Sequence, residues 1–322
     1  MVALGGGHGL AASLAALRRL PTAVTAVVTV ADDGGSSGRL RAELGVLPPG
    51  DLRMALVALT GDGPDNELGA RLLQHRFGGS GALAGHAVGN LLIAGLFDVL
   101  GNPVEALDAV GRVLGVEGRV LPVCSQPLDI VADVVGLDPA RPVAVSEVRG
   151  QVAVATTEGR VLAVRTVPRN PPACPEAVKA IGRADWVVLG PGSWFSSVLP
   201  HLVVPGIRNA LARTTAHRMI VLNLAPQVGE TAGFSPETHL EVLTAHAPLL
   251  NVDVVLADPA TVTDGRALER AAEGLGARLV LATVGVPDGA PRHDPDRLAA
   301  AYSRVFEEEA ARNGMPASSS SG

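Results

Sequence analysis

Lysine is nearly missing from this chain of 322 residues, since Lys179 is the only one. A Walker-type phosphate loop needs a lysine after its glycines, and Schiff-base chemistry needs a lysine amine. Neither fits this composition. Any phosphate recognition must therefore rely on backbone N–H groups and arginines.

Cysteine and long apolar runs are also scarce. Cys124 and Cys174 are the only cysteines, and their separation fits no metal-binding motif, which is typical of reduced cytoplasmic thiols. No apolar run approaches the roughly 18 residues of a transmembrane helix, and the opening MVALGGGHGL has no basic stretch. We therefore expect a cytoplasmic location without membrane insertion. A net charge of −6 argues against nucleic acid as a partner, and the sequence is compatible with a homo-oligomer.

Short β-branched runs alternate with Ala- and Leu-rich amphipathic stretches along most of the chain. This pattern predicts an α/β fold, Rossmann-like, with a mostly parallel, doubly wound sheet. The predicted strands are Val2–Leu4, Val24–Val30, Trp186–Leu189, Met219–Leu222, Val252–Leu256 and Leu279–Thr283. The predicted helices are Leu10–Leu20, Asp65–His75, Ala87–Leu100, a segment from about Ser193, and Pro236–Ala247.

The middle of the chain has a different pattern. Short strands with Gly and Pro turns predict a small antiparallel excursion from about residue 120 to 170. Its predicted strands are Val120–Val123, Val143–Val148, Val152–Thr156 and Val161–Val164. We expect residues 1–312 to form a single domain that includes this excursion, and the Ser-rich tail 313–322 to be disordered.

A glycine-rich turn, Gly5-Gly6-Gly7-His8-Gly9-Leu10, joins the first strand to the first helix. Glycine allows close approach of backbone to a phosphate, and the helix that follows presents free N–H groups. The spacing Gly7-x-Gly9-x-x-Ala12 fits the permissive dinucleotide fingerprint. Gly6, Gly7, His8 and Gly9 are therefore candidate ligand contacts, although a tight packing turn would use the same glycines.

The second strand leads into Asp32-Asp33-Gly34-Gly35-Ser36-Ser37-Gly38-Arg39. An acid at this place accepts hydrogen bonds from a ribose hydroxyl, and a pair of acids is alternatively suited to a Mg²⁺ ion that bridges to phosphates. An Asx-turn is the structural alternative. The candidate ligand-binding residues here are Asp32, Asp33, Gly34, Ser36 and Arg39.

Two further helix starts carry polar residues. In PPGDLR, Asp51 is predicted to be an N-cap, and Arg53 lies in the first turn, where a cation opposes the helix dipole and indicates an anionic partner. In GHAVGN, Asn90 lies in an otherwise apolar helix and needs a partner, either a protein group or a ligand. We include Arg53 and Asn90 among the ligand-binding candidates.

A second anion-binding loop, Gly190-Pro191-Gly192-Ser193, follows the strand that begins at Trp186. A third strand end, Asn223-Leu-Ala-Pro-Gln227-Val-Gly-Glu230-Thr231, adds amides, an acid and a hydroxyl. Open α/β sheets bind ligands at the carboxyl ends of strands where the strand order reverses. Gly190, Gly192, Ser193, Asn223 and Gln227 are therefore predicted to line one crevice.

No nucleophile and base stand together in the sequence, and there is no G-x-S-x-G or H-E-x-x-H motif. His75 and His86 lack partners at metal spacing, so no metal site is predicted from them and the catalytic residues stay unknown. The sequence indicates binding more clearly than a reaction.

The segments GGGHGL, TVADDGGSSGRLR, PPGDLR, GHAVGNLL, GPGSWFSSVLPHL and NLAPQVGETAGFS closely resemble the YvcK-like gluconeogenesis-factor family. That family is a branch of the superfamily that includes 2-phospholactate transferase (CofD-like), and the resemblance runs from Met1 to about Ala300. It implies a cytoplasmic, Rossmann-like protein that binds UDP-sugars such as UDP-N-acetylglucosamine. It also implies a link to carbon metabolism, cell-wall synthesis and cell shape.

The resemblance also assigns positions. It implies that Gly6, Gly7 and Gly9 line the nucleotide, that Asp32 and Asp33 lie at the sugar or a metal, and that Gly190 to Ser193 lie at phosphate. Pro291-Arg292-His293 resembles the segment in which the family places a UDP-sugar-binding arginine, so Arg292 is a candidate. The chain departs from the family pattern at His8, which replaces threonine, at Phe195, which replaces tyrosine, and at Gln227-Val228, which replaces a more polar pair.

Three functions are compatible with these observations. The first is a non-catalytic UDP-sugar-sensing regulator of envelope synthesis and central metabolism. The second is a CofD-like transferase that moves a phospholactyl-type group from a nucleotide donor to a deazaflavin, although a tricyclic ring favours aromatic platforms and only 2% of residues are aromatic. The third is an NAD-dependent enzyme, which the fingerprint alone suggests.

Overall fold

The computed structural model describes residues 1–227, 230, 231, 233–312 and 314. In that part of the chain, the strands form a seven-stranded sheet and a separate three-stranded sheet. In chain order the strands are β1 (Val2–Gly5), β2 (Thr25–Val28), β3 (Arg119–Pro122), β4 (Asp129–Val135), β5 (Ser146–Arg149), β6 (Arg160–Val167), β7 (Trp186–Leu189), β8 (His217–Val221), β9 (Val254–Ala257) and β10 (Arg278–Leu281).

The large sheet has the strand order β10-β9-β8-β7-β1-β2-β3, and its neighbouring strands pair in parallel. Every residue of β1, β7 and β9 is buried, as expected for strands covered by helices on both faces. The predicted doubly wound, Rossmann-like α/β fold is confirmed. All six predicted parallel strands are present, with ends shifted by a few residues.

Proline opens many of the helices, which suits its fixed φ and missing N–H at the first helical position. This applies to α3, α4, α6, α8, α10, α11 and α13 in the following series. The helices are α1 (Gly7–Leu17), α2 (Gly35–Leu44), α3 (Pro49–Ala58), α4 (Pro64–Gln74), α5 (Val88–Leu100), α6 (Pro103–Val113), α7 (Gln151–Ala155), α8 (Pro175–Arg183), α9 (Leu199–Val203), α10 (Pro205–Arg213), α11 (Pro236–His246), α12 (Gly265–Gly274) and α13 (Pro295–Arg312). A π-helical turn at Trp194–Val198 precedes α9, and a 3₁₀ turn lies at Pro259–Thr261.

The small sheet has the order β5-β4-β6 and is antiparallel, so the predicted excursion is present. The set of strands predicted for this small sheet was wrong in three respects. Val120–Val123 belongs to β3 at the edge of the large sheet, where Val120 and Leu121 are buried as in other parallel strands. Val152–Thr156 is largely the short helix α7, because Asp33 Oδ1 accepts the Val152 N–H and holds the helix start. The central strand β4 was missed because Asp133 interrupts its apolar run.

The order of the large sheet reverses between β1 and β7. Strands β1, β2 and β3 progress toward one edge, whereas β7, β8, β9 and β10 progress toward the other. The loops that follow β1 and β7 therefore leave neighbouring strand ends in opposite directions, which creates a crevice at the carboxyl edge. Helix α1, which follows β1, packs against α3 and α13, and Ser13 Oγ and the buried Tyr302 hydroxyl form a hydrogen bond of 2.8 Å.

Among the described helices, none has the length and apolar character to cross a membrane. The predicted tail 313–322 lies outside the described residues apart from Gly314.

Candidate functional site

The two glycine-rich loops touch each other at the reversal of strand order. A Cβ at Gly9 would lie 2.3 Å from the carbonyl oxygen of Pro191 and 2.7 Å from Gly192 Cα. A Cβ at Gly6 would lie 2.5 Å from Asp51 Oδ2. Real Cβ atoms do not approach so closely, so packing alone requires glycine at both positions, at Gly9 against the second loop and at Gly6 against Asp51.

Asn223, at the end of β8, fixes the second loop in place. The Gly192 N–H donates to Asn223 Oδ1 at 2.9 Å, and Asn223 Nδ2 donates to the Gly192 carbonyl at 2.8 Å. Both ends of the side-chain amide are thus engaged by Gly192. Asn223 therefore holds the backbone of this loop in place.

A cleft of about 560 Å³ opens where the three strand ends meet. This size suits a nucleotide-scale ligand. It brings together six of the predicted site residues, which are His8, Gly9, Gly192, Asn223, Gln227 and Arg292. Its other wall is formed by the segment before α13, including Pro291 and His293.

The rim of this cleft carries an exposed arginine. Arg292 is 69% exposed in its side chain and pairs with Asp288 at 3.1 Å, an ion pair that solvent weakens. Beside it, burial lowers the pKa of His293 to about 4, while a hydrogen bond to the Leu222 backbone and the charge of Asp258 act in the opposite direction. His293 is therefore neutral at physiological pH and Arg292 supplies positive charge.

Among the other predicted residues, Asp33, Ser36 and Arg39 form a second group around the start of α2. A cleft of about 630 Å³ is lined there by Asp33, Gly35, Ser36, Gly38, Arg39, Ala42, Arg76 and Gly85. Asp32 Oδ1 accepts the Gly34 N–H at 3.0 Å, which is the Asx-turn that the sequence left as an alternative. Asp33 is engaged with α7 as described above, and the Arg39 guanidinium donates to the Ala84 carbonyl at 2.7 Å.

A buried polar network lies behind this second group. Arg53 Nε donates to Asn90 Oδ1 at 2.9 Å, and Asn90 Nδ2 donates to Ser36 Oγ at 3.0 Å. Ser36 Oγ and His86 Nδ1 form a further hydrogen bond of 2.9 Å. Asn90 is buried, and its partners are side chains of the protein. Arg53 also donates to Gln74, so the network ties α2, α3, α4 and α5 together.

The prediction that Asp51 caps its helix was wrong. Helix α3 already begins at Pro49 with Pro48 in the cap position, so Asp51 lies inside the first turn. It is only 9% exposed and its Oδ2 has no hydrogen-bond partner. Burial, and then the charge of Asp32, raise the pKa of Asp51 to about 7, although the Gly7 N–H and Arg53 favour its charged form. A proton-accepting carboxyl thus lies directly beside the first glycine loop.

Glu230 is a second buried acid at the site. It is 3% exposed, and its Oε2 accepts the Phe195 N–H at 3.2 Å. Burial raises its pKa, while hydrogen bonds from Ser196, Ser193 and backbone amides oppose the shift. Ser193, predicted to contact phosphate, accepts a hydrogen bond of 2.7 Å from the Ser196 hydroxyl.

Sequence reasoning identified the loops but not the role of these two acids. The PPGDLR motif predicts a helix cap at Asp51, and the sequence identifies Glu230 only as an acid after a predicted strand. Their burial results from tertiary packing. Within the described residues, no group of three or more His, Cys, Asp or Glu side chains is arranged to hold a metal ion.

The fold and the paired loops define a Rossmann-like α/β protein with a cleft at the reversal of strand order. Residues 1–280 match the family model described as 2-phospho-L-lactate transferase CofD, and the chain belongs to that family.

Within the family, its relatives confirm the resemblance to the gluconeogenesis-factor branch. A Mycobacterium tuberculosis protein described as "Putative gluconeogenesis factor" is 57% identical over 98% of this chain and 93% of its own length. A "Gluconeogenesis factor" of Halalkalibacterium halodurans is 38% identical over 82% of this chain and 79% of its own length. The crystal structure of a UPF0052-family protein from Bacillus halodurans superimposes with a TM-score of 0.83 at 33% identity, covering 93% of this chain and 97% of that one.

Proposed function

We propose that the chain is a cytoplasmic UDP-sugar-binding regulator, with UDP-N-acetylglucosamine as the type of ligand, that acts in carbon metabolism, cell-wall synthesis and cell shape. The observation that carries the proposal is the contact between the Gly6–Gly9 and Gly190–Ser193 loops at the reversal of strand order. There His8 and Gly9, in the first turn of α1, line the 560 Å³ cleft, and the first turn of a helix favours a diphosphate.

Polar side chains at the cleft are suited to bind the phosphates and the other polar groups of a UDP-sugar. Arg292 is placed to neutralise phosphate charge from the rim, and Gln227 presents a side-chain amide from the opposite wall. Asp32 and Asp33 follow the neighbouring strand β2 outside this cleft, with Asp33 on the wall of the 630 Å³ cleft, and they would hold a sugar hydroxyl or a Mg²⁺ ion of a ligand that extends that far. The regulatory part of the proposal is supported by relatives that are named for a metabolic role.

A CofD-like transferase is the second candidate, and Asp51 is the observation that favours it. A carboxyl with a pKa of about 7 beside a phosphate loop is suited to accept a proton from an attacking hydroxyl. The acceptor, however, would need flat apolar surfaces, and Trp194, Phe195 and Tyr302 are fully buried in the core. The regulator is therefore the better-supported function.

A thermal-shift titration with UDP-N-acetylglucosamine, UDP-glucose and NAD, each with and without Mg²⁺, tests the proposal. A ligand at 100 times its Kd adds about 2.7 kcal/mol to the free energy of unfolding, which gives a clear shift. We expect UDP-sugars to stabilise the chain and NAD to leave it unchanged. Stabilisation by a guanine nucleotide or a deazaflavin, with none by UDP-sugars, would support the transferase instead.

Arg292→Ala is expected to weaken UDP-sugar binding by roughly 10- to 100-fold, because a charge-assisted hydrogen bond contributes about 1.5–3 kcal/mol. Titration calorimetry measures the change. The control is Arg266→Ala, which removes an exposed arginine from a different cleft and should bind like the wild type. Equal affinity in the Arg292 variant would place the phosphates away from this rim.

A further inference from the structure

A cavity of about 310 Å³ lies between α10 and the end of α11. We call it the α10–α11 cavity. Its floor is apolar, because the buried side chains of Leu202, Ala247 and Leu250 line it. Leu202 belongs to α9, which packs against both α10 and α11. Since one water molecule takes up about 30 Å³ in the liquid, the cavity has room for about ten non-hydrogen atoms.

The α10–α11 cavity lies at the edge of the large sheet opposite the 560 Å³ cleft. Helix α10 leads into the start of β8, and α11 leads into the start of β9. These strands are parallel and the 560 Å³ cleft lies at carboxyl ends, so the last turns of both helices lie at amino ends. Ala212 and His246 line the cavity from these last turns. A ligand bound there would therefore be separate from one bound at the glycine loops.

His246 forms one wall of the cavity, and both of its ring nitrogens are used by the protein. Its Nδ1 donates to the Val242 carbonyl at 2.8 Å, and its Nε2 accepts the Val164 N–H at 3.2 Å. A nitrogen that accepts from an N–H carries no proton, so this histidine is neutral. It joins the end of α11 to β6 and contributes no charge to the cavity.

The polar side chains that remain for a ligand are Arg208 and Asn209, which are adjacent and exposed on α10. Within the described part of the chain, neither side chain takes part in a hydrogen bond or an ion pair. The described lining of the cavity also contains no Asp or Glu. An arginine fork and an amide that no protein carboxylate engages are suited to bind the carboxylate of a ligand.

The carboxyl end of α11 acts against an anion in this cavity. The last carbonyls of a helix carry partial negative charge, and His246 is the last residue of α11. At an exposed helix end this effect changes affinity by about two- to fivefold. Charge-assisted hydrogen bonds from a guanidinium to a carboxylate change it by about 10- to 100-fold. The contribution of Arg208 is therefore the larger one, and the cavity favours an anion.

We propose that the α10–α11 cavity binds a small organic acid of about ten non-hydrogen atoms, with its carboxylate against Arg208 and Asn209. The apolar body of the acid packs on the buried floor. It also covers part of Leu249, which lines the cavity and is 81% exposed. The site does not depend on the proposed function, since it shares no described lining residue with the 560 Å³ cleft.

Titration calorimetry of the full chain with phenylacetate, phenylacetamide and acetate tests this site. Phenylacetamide has the shape of phenylacetate without its charge, and acetate has the charge without the apolar body. We expect phenylacetate to bind with a Kd in the millimolar range or tighter. Phenylacetamide should bind at least about tenfold more weakly, because it forms no charge-assisted hydrogen bond with Arg208. Acetate should show no measurable binding.

Two variants and one control locate the binding of phenylacetate. Arg208→Gln should weaken it at least about tenfold. Arg213→Gln changes an exposed arginine of the same helix outside the cavity lining, and it should bind phenylacetate like the wild type. Ala212→Phe adds a ring at the cavity from an exposed position, so the protein should fold and no longer bind phenylacetate.

Three results would each overturn the inference. The first is a wild type that does not bind phenylacetate at millimolar concentration. The second is phenylacetamide binding as tightly as phenylacetate, which would show that Arg208 does not recognise a carboxylate. The third is an Ala212→Phe protein that circular dichroism shows to be folded and that still binds phenylacetate like the wild type.

Discussion

Gly9→Ala is expected to lower UDP-sugar affinity by about 100-fold, equivalent to about 2.8 kcal/mol, and to destabilise the fold by about 1–3 kcal/mol. The new Cβ would lie 2.3 Å from the Pro191 carbonyl oxygen and 2.6 Å from its carbonyl carbon. Both contacts are with backbone, so no side chain can rotate away to relieve them. The two loops must separate, and His8, Gly9 and Gly192, which line the cleft, move with them.

Urea denaturation and titration calorimetry measure the two effects separately. The matched control is Gly95→Ala in α5, where the new Cβ meets nothing within 4 Å. Because alanine has the higher helix propensity, that variant should be more stable than the wild type by up to about 1 kcal/mol. Gly9 also lies in a helix, so helix propensity alone would make the Gly9→Ala variant more stable than the wild type. A loss of stability in this variant would therefore come from the clash between the loops. A Gly9→Ala protein with unchanged stability would show that the loops are not in contact.

Asp51→Asn is expected to raise the free energy of unfolding by up to about 4 kcal/mol at pH 8 and to change it little near pH 4. Burial and the neighbouring Asp32 raise the pKa of Asp51 from 3.8 in the unfolded chain to about 7 in the folded one. Between these values the folded state binds more protons than the unfolded state. The wild type therefore loses stability at this residue as the pH rises from about 4 to 7.

Asparagine resembles the protonated acid but does not titrate, so the difference between variant and wild type should grow across that pH window and then level off. Urea denaturation of both proteins at intervals from pH 4 to 8 gives this difference, in which the other titrating groups cancel. Asp98→Asn, on the exposed part of α5, is the control and should follow the wild type. If Asp51→Asn is the less stable protein at pH 8, the ionised carboxylate is stabilised by Gly7 and Arg53 more than burial opposes it.

The parallel sheet could be predicted from the sequence because its strands are buried on both faces. Runs such as Val2–Leu4 and Trp186–Leu189 are almost uniformly apolar and are followed by glycine. The apolar run predicts the buried strand, and the glycine predicts where it ends. The small sheet could not be predicted in the same way. Apolar β-branched residues at Val152–Val154 form a helical turn because Asp33, more than a hundred residues away, accepts the Val152 N–H.

In the candidate site, too, one part could be predicted from the sequence and another part could not. The meeting of Gly6–Gly9 with Gly190–Ser193 follows from the rule that carboxyl ends of parallel strands share one edge. The roles of Asp51 and Glu230 depend on what packs around them, since an acid at a helix start is usually an exposed cap. Burial against Gly6 in one case, and against Phe195 in the other, is a property of the folded chain alone.

The binding of a UDP-sugar between the two glycine loops is tested by a crystal structure of the chain with UDP-N-acetylglucosamine. We expect the diphosphate to lie against the backbone of Gly6–Gly9 and Gly192, with Arg292 turned toward a phosphate and away from Asp288. Nucleotide bound outside this cleft, with the two glycine loops unoccupied, would contradict it.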